Sequence, residues 1–318
     1  MTTHVVFGGC GFLGRHVVRS LVERGDDVSV VDVVDYPAGS VAADTKIADL
    51  SRATESEFDA LIGAAEVIHH YAWTTIPSSA NADPIADVQV NLASTIGLLE
   101  SIRRRGGGRL VFPSSGGTVY GLPHELPVPE SHPLEPIVAY GVSKLAAEKY
   151  LLLYRYLYGV DVRIARISNP YGAGQDPRRT QGVVTTFIHL ALDDKPIQLW
   201  GDGQVVRDFV HVSDAVSALI KLADAEGFES GHSPVFNIGS GRGTKIVEIV
   251  QLIEALFDRP LRIEIKPGRK FDAPASILDI SKAKRSLGWS PRVPLPLGIK
   301  QTLADIAQDR TRRFSSIR

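Results

Sequence analysis

The chain of 318 residues carries a formal net charge of -1, with 44% hydrophobic residues, 22% charged residues and a single cysteine. Charge this balanced, with no long basic stripe, excludes the electrostatic footprint of a nucleic-acid or anionic-membrane partner, and one cysteine excludes an internal disulfide. No run approaches roughly 18 continuous apolar residues and no Cys/His group has zinc-ligand spacing, so the expectation is a cytoplasmic chain without a metal, long enough for a main domain and a smaller second one.

Val5, Val6 and Phe7 read as a short buried strand, Gly8, Gly11 and Gly14 follow at a spacing of three, and residues 15–24 read as a helix. The chain enters that strand directly, without the charged, then apolar pattern of a leader. Glycines at these places let the backbone turn sharply, approach a pyrophosphate and pack helix against strand, while the first amides of the helix face the anion. Cys10 reads as a small loop residue with no chemistry. The next strand, residues 28–31, ends at Asp32, about 20 residues beyond the loop, where a carboxylate accepts both hydroxyls of a ribose. Val33 and Val34 follow in place of a cation, so Asp32 would repel a 2′-phosphate, and the expected cofactor is NAD, tightly bound, rather than NADP.

Apolar strands then alternate with helical stretches: strands at 67–70, 109–112 and 161–167, helices at 87–104 and 139–158. That alternation predicts an α/β fold, a doubly wound parallel sheet of the Rossmann type, with a smaller C-terminal α/β substrate-binding domain. The pattern loosens at Asn169-Pro-Tyr-Gly-Ala-Gly174, which sets the expected domains at 1–168 and 169–318, with a segment at about 205–240 returning to the first. The basic run Arg310 to Arg313 reads as a solvated end. Tyr140 and Lys144 stand four apart at the start of a helix and so share one face. A phenol is a poor base at neutral pH, but an adjacent ammonium and a positive nicotinamide favour its phenolate, so Tyr140 can take a proton from a sugar hydroxyl.

With these motifs the chain resembles the extended short-chain dehydrogenase/reductases, and among them the NAD-dependent sugar epimerases typified by UDP-glucose 4-epimerase, over nearly its whole length. The resemblance implies cofactor contacts at Gly8, Gly11, Phe12, Leu13, Gly14, Asp32, Asp49, Leu50, Tyr71, Ala72, Asn91 and Ser114, and at the pair Tyr140 and Lys144. It implies substrate contacts at Thr118, Asn169, Val183, Val184, Leu199, Trp200, Arg207, Arg269, Asp272 and Ser276, with the two arginines holding a pyrophosphate because a forked guanidinium suits phosphate oxygens. His211, Asp214 and Asp279 read as structural. One position departs from the family: its usual hydroxyl residue, four before the Tyr of the Tyr-Gly pair, is Gly116 here. Thr118, ahead of Ser115, is the expected replacement.

What the stretch lacks narrows the chemistry. Related 4,6-dehydratases carry an Asp-Glu pair where Gly117 and Thr118 stand, and related decarboxylases a Glu, so water loss or decarboxylation has no evident catalyst. The implied reaction is oxidation and return reduction at C4 of a UDP-hexose, UDP-glucose/UDP-galactose and, since Ser276 replaces a bulky Tyr of some relatives, UDP-GlcNAc/UDP-GalNAc. UDP-glucuronate, met by Arg178, Arg179 or His189, net NAD-dependent oxidoreduction, and a non-catalytic NAD sensor are the alternatives. Surplus apolar residues on 92–103 and 139–158, among them Leu151, Leu152, Leu153, Tyr154 and Leu157, suggest a homodimer.

Overall fold

The computed structural model describes residues 1–36, 43–177, 182–226, 232–268 and 273–315. Strand β1 (Thr3–Phe7) is apolar on both sides because it lies in the interior of a parallel sheet covered on both faces, and Val5, Val6 and Phe7 are wholly buried there. Around it run β2 (Asp27–Asp32), β3 (Asp44–Ile47), β4 (Val67–His70), β5 (Arg109–Ser115) and β6 (Asp161–Ile167). The chain then leaves the sheet for β7 (Asn169–Tyr171), β8 (Ile197–Trp200) and β9 (Val206–His211), and comes back with β10 (Val235–Ile238), which pairs parallel with β6. The order across the seven strands is β10-β6-β5-β4-β1-β2-β3. Succession reverses between β1 and β4, and in such sheets the crevice at the carboxyl ends of the two strands is where a ligand is bound.

Helix α1 (Phe12–Glu23) lies on one face with α8 (Val212–Asp224), and their contact buries Val17, Leu21 and Leu219. The opposite face carries α2 (Glu55–Ile62), α5 (Ala93–Arg104) and α6 (Ala139–Tyr158), packed through Phe58, Leu98, Leu99 and Leu151. Between them come two short helices, α3 (Pro77–Ala82) and α4 (Pro84–Asp87). Helix α2 starts on a capping box between Thr54 and Glu57, and α6 stops at Gly159, whose φ of 70° is left-handed and open to glycine. The segment predicted as one helix over 87–104 is divided: α4 ends at Asp87, a π-helical turn occupies Val88–Leu92, and α5 begins at Ala93. Ser94 and Thr95 donate their hydroxyls to the Val90 and Asn91 carbonyls, supplying partners where the widened turn disturbs the regular ladder.

A third core forms where α7 (Val183–Leu192), α9 (Ile246–Phe257) and α11 (Leu295–Ser315) converge on Tyr171, Ile188, Ile249 and Ile299. There β9 pairs with β7, with β11 (Gly243–Lys245) and with β13 (Ala275–Ser276), while β8 pairs with β12 (Ile263–Lys266). Helix α10 (Ser281–Leu287) returns to the face of α8 and brings Trp289 into the core that α8 shares with α1. No helix among the described residues is long and apolar enough to cross a membrane, and no group of three metal-ligating side chains occurs among them.

Candidate active site

The turn after β1 has room for backbone only. Gly8 has a left-handed φ of 77°, and a Cβ on it would lie 2.5 Å from the Ala72 amide nitrogen and 2.6 Å from the Tyr71 carbonyl carbon. A Cβ on Gly14 would lie 2.1 Å from the Gly8 oxygen. Helix α1 starts with Gly11 as its cap and no side chain bonded to its first turn, so the amides of Phe12, Leu13 and Gly14 are open to an anion. Asp32, at the end of β2, accepts the Cys10 amide at 2.9 Å and the Val33 amide at 2.7 Å, which fixes its carboxylate beside the turn. Val33 and Val34 are both exposed and offer nothing to a 2′-phosphate. Asp49 accepts the Ser51 amide and hydroxyl, which hold its carboxyl below the usual range, and Leu50 packs half-buried on the second core. A dinucleotide fits this arrangement of crevice, amides and carboxylate. Cys10 is buried, and burial next to Asp32 pushes its thiol up to about 11, so it stays protonated and inert.

Tyr140 and Lys144 lie on the first two turns of α6, whose next turn presents Glu148 on the same face. Lys144 is 3% exposed, donates to the Pro113 carbonyl at 2.9 Å, and sits 3.7 Å from the centre of the Trp73 ring. Burial pulls its pKa down to about 7, against the charges of Asp87 and Glu148, which act to raise it. In the chain by itself burial, helped by Asp87, raises the pKa of Tyr140. Desolvation of the phenolate acts against the attraction of the Lys144 ammonium, 5.9 Å from the ring centre, and a positive nicotinamide would add to that attraction.

Four buried polar atoms near this pair have no hydrogen-bond partner among the described residues: Trp73 Nε1, His70 Nδ1, Asp87 Oδ2 and Thr118 Oγ1. Buried donors and acceptors are ordinarily paired, so these four atoms have capacity left for a further polar group. Asn91 contributes differently. Its amide accepts from the Thr74 amide and hydroxyl and donates to Thr75 and Asp87, so its hydrogen-bonding capacity is spent on holding the 73–75 segment. Ser114 donates to Glu148 Oε1, which also accepts Arg166 Nε at 3.0 Å; Arg166 reaches Glu148 Oε2 through Nη2 at 2.6 Å and the Tyr120 hydroxyl through Nη1 at 3.0 Å. This ion pair is buried directly behind the end of β5.

Position 116, where the chain departs from the family, is closely surrounded. A Cβ there would lie 2.5 Å from Leu278 Cδ1 and 3.0 Å from the Arg166 carbonyl oxygen, so a side chain at 116 requires the buried end of Leu278 to move. The Ser115 carbonyl accepts the amides of Thr118 and Val119, bending the chain so that Thr118 packs against Gly141, the residue after Tyr140. Thr118 thus stands beside the start of α6, and Ser115 half-buried one turn earlier.

On the other side of the crevice, Asn169 donates to the Asp208 carbonyl at 3.0 Å. Arg207 donates to the carbonyls of Val206 and Ala273, in register with the buried Ser276 across β9 and β13. Val183 is half-buried at the start of α7, whereas the Val184 side chain is wholly buried in the third core and has only its backbone to offer a ligand. Leu199 is buried, and Trp200 is 41% exposed at the end of β8. His189 lies 3.0 Å from Arg310 on α11. Arg178, Arg179, Arg269 and Asp272 lie outside the described residues. Trp73, Asp87 and Glu148 were missed in the sequence; spacings of four, from Lys144 to Glu148 and from Asp87 to Asn91, were the available signal.

Residues 4–239 match the NAD dependent epimerase/dehydratase family. The chain is 34% identical over 314 residues to a UDP-glucose 4-epimerase of Mycolicibacterium smegmatis, covering 94% of this chain and 96% of that one. Among solved structures it is similar to a UDP-glucose 4-epimerase of Thermotoga maritima with UDP-glucose, at a TM-score of 0.89 and 33% identity, covering 97% of this chain and 99% of that one. The Thermus thermophilus UDP-glucose 4-epimerase in complex with NAD matches at a TM-score of 0.87 and 29% identity, covering 96% and 99%.

Proposed function

Because the chain belongs to the NAD dependent epimerase/dehydratase family, we propose that it is an isomerase that inverts C4 of a UDP-hexose through a 4-keto sugar. The observation that carries this reading is the Tyr140–Lys144 pair on α6, lying among unpaired buried polar atoms, with no carboxylate at Gly117 or Thr118 to drive water loss.

NAD, when bound, supplies the acceptor and the donor of the C4 hydride. Gly8, Gly11 and the first amides of α1 take its pyrophosphate, and Asp32 its adenosine ribose. Tyr140 moves the proton at the 4-hydroxyl, and Thr118 Oγ1, free of any partner among the described residues, orients that hydroxyl, with Ser115 behind it. Lys144 binds the nicotinamide ribose and lends positive charge to the phenol. Arg207, with Arg269, holds the diphosphate of the substrate, while Asn169, Leu199 and Trp200 enclose its nucleoside. The reading is tested by incubating purified protein, with no cofactor added, with UDP-glucose, UDP-GlcNAc and UDP-glucuronate in turn, and following the anomeric proton by NMR. A C4 epimer approaching a fixed ratio is expected; NADH accumulating only after NAD is supplied would mean a net sugar oxidoreductase instead.

Ser276 is buried beside Arg207, and its small side chain is what supports acceptance of an N-acetyl group. Ser276→Tyr is expected to lower turnover of UDP-GlcNAc by about tenfold or more while sparing UDP-glucose, because added bulk in a closed pocket penalises the larger substrate. Equal losses on both sugars would remove Ser276 from specificity. The surplus apolar residues of α6 divide in two: Leu151 and Tyr154 belong to the second core, but Val142, Leu153, Tyr156 and Leu157 are exposed. An apolar strip of this kind supports a homodimer, for which light scattering should return twice the monomer mass.

A further inference from the structure

Lys144 is buried in a setting that ought to strip its charge, and the aromatic side chains around it bear on that problem directly. Its Nζ lies 3.7 Å from the centre of the Trp73 ring, 4.6 Å from that of Phe112 and 5.9 Å from that of Tyr140. Trp73 is itself fixed edge-on against both other rings, at 5.9 Å from Phe112 and 6.2 Å from Tyr140. The segment that carries Trp73 is anchored by its next two residues. Thr74 donates its amide and hydroxyl to Asn91, and Thr75 donates its hydroxyl to Asp87 and accepts from Asn91. Asp87 caps the π-helical turn and Asn91 lies within it, so the irregular turn and its polar pair act as a bracket for the segment that carries the indole.

The charged and titratable groups facing Lys144 are Asp87 at the end of α4, Tyr140 and Glu148 on its own helix, and His70 on β4. Burial keeps His70 neutral, with its pKa pulled down to about 3, so it adds no repulsion. Glu148 is engaged by Arg166 and Ser114, which divides its negative charge between them and Lys144. The negative face of an indole is the strongest π partner for a cation, and its effect grows when water is excluded.

We propose that Trp73 is a positioning residue that seats the Lys144 ammonium at the cofactor face and keeps it protonated. Its bearing on turnover rests on the epimerase reading, but its test does not. An ammonium with a pKa near 7 is depleted as pH rises through neutrality, and removing the ring removes an interaction made by the charged form alone, so the midpoint must move down.

The experiment uses the full chain labelled with [13Cε]lysine, with the Lys144 resonance assigned by its loss in Lys144→Met and its midpoint read by NMR titration. Trp73→Leu is expected to lower that midpoint by about 0.5–1 pH unit and Trp73→Phe by less, since Trp is the best of the ring partners. Mono- and trifluorinated tryptophan, incorporated into the unmutated chain, drain the ring's negative face without altering its shape, and should lower the midpoint in that order even where Trp73→Leu fails to fold. Unchanged midpoints across the fluorinated series would overturn the proposal. Failure of the epimerase reading would show in the sugar-nucleotide NMR assay and leave the lysine titration as it is.

Discussion

Replacing Tyr140 by Phe is expected to lower turnover by about 10³-fold, within the 10²–10⁴-fold that a positioned acid–base group contributes, while NAD affinity stays within a few-fold. The ring of Tyr140 packs against Trp73, and Phe keeps that contact, so the cradle made by the glycine turn and Asp32 is undisturbed. What is lost is the one phenolic oxygen placed to move the O4 proton. Thr118 cannot replace it, because an aliphatic hydroxyl has no accessible anion at neutral pH. The measurement is the anomeric-proton assay beside a titration of NAD by calorimetry. Turnover within tenfold of the unmutated chain would take the proton-transfer role away from Tyr140, and a collapse of NAD affinity would assign it to binding.

Glu148→Gln should lower the unfolding free energy by about 3–5 kcal/mol, because it leaves a buried guanidinium without its counter-charge. Glu148 is 1% exposed and Arg166 3% exposed, so water cannot take over the lost pairing. The substitution keeps shape and removes charge, which separates the ionic contribution from packing. Breaking one partner of a buried pair is costly even where the intact pair adds little net stability, and replacing both residues by apolar ones of similar volume should recover most of the loss. Chemical denaturation of Glu148→Gln and of Glu148→Leu with Arg166→Met distinguishes these cases. A Glu148→Gln curve superimposing on the original would show that the pair is not desolvated in solution. Ser114 donates to the same carboxylate, so the end of β5 should loosen together with the ion pair.

Much of the dinucleotide half was open to reading from local pattern. The turn from Gly8 to Gly14, the strand ending at Asp32 and the spacing of Tyr140 and Lys144 are short-range features, set by backbone dihedrals and helical periodicity within a few residues. The chain also belongs to the family that these motifs resemble, with its parallel seven-stranded sheet. Less visible were β3, α2 and the small strands beyond residue 195. Their sequences are polar or short, and partners distant in the chain define them, as β8 is paired by β12 and β9 by β7, β11 and β13.

The order and identity of the cofactor-side motifs were therefore determined by the sequence itself, since a tight turn, a carboxylate at a strand end and two residues one helical turn apart need no knowledge of the rest of the chain. Tertiary structure alone decided what surrounds position 116, since only folding brings Leu278 against it. It alone decided that Asn91 spends its amide on the segment bearing Trp73, and that Glu148 answers Arg166 behind the site. It also decided the electrostatics that Tyr140 brings to the site, because burial, which raises the pKa of the phenol, is a property of the assembled core.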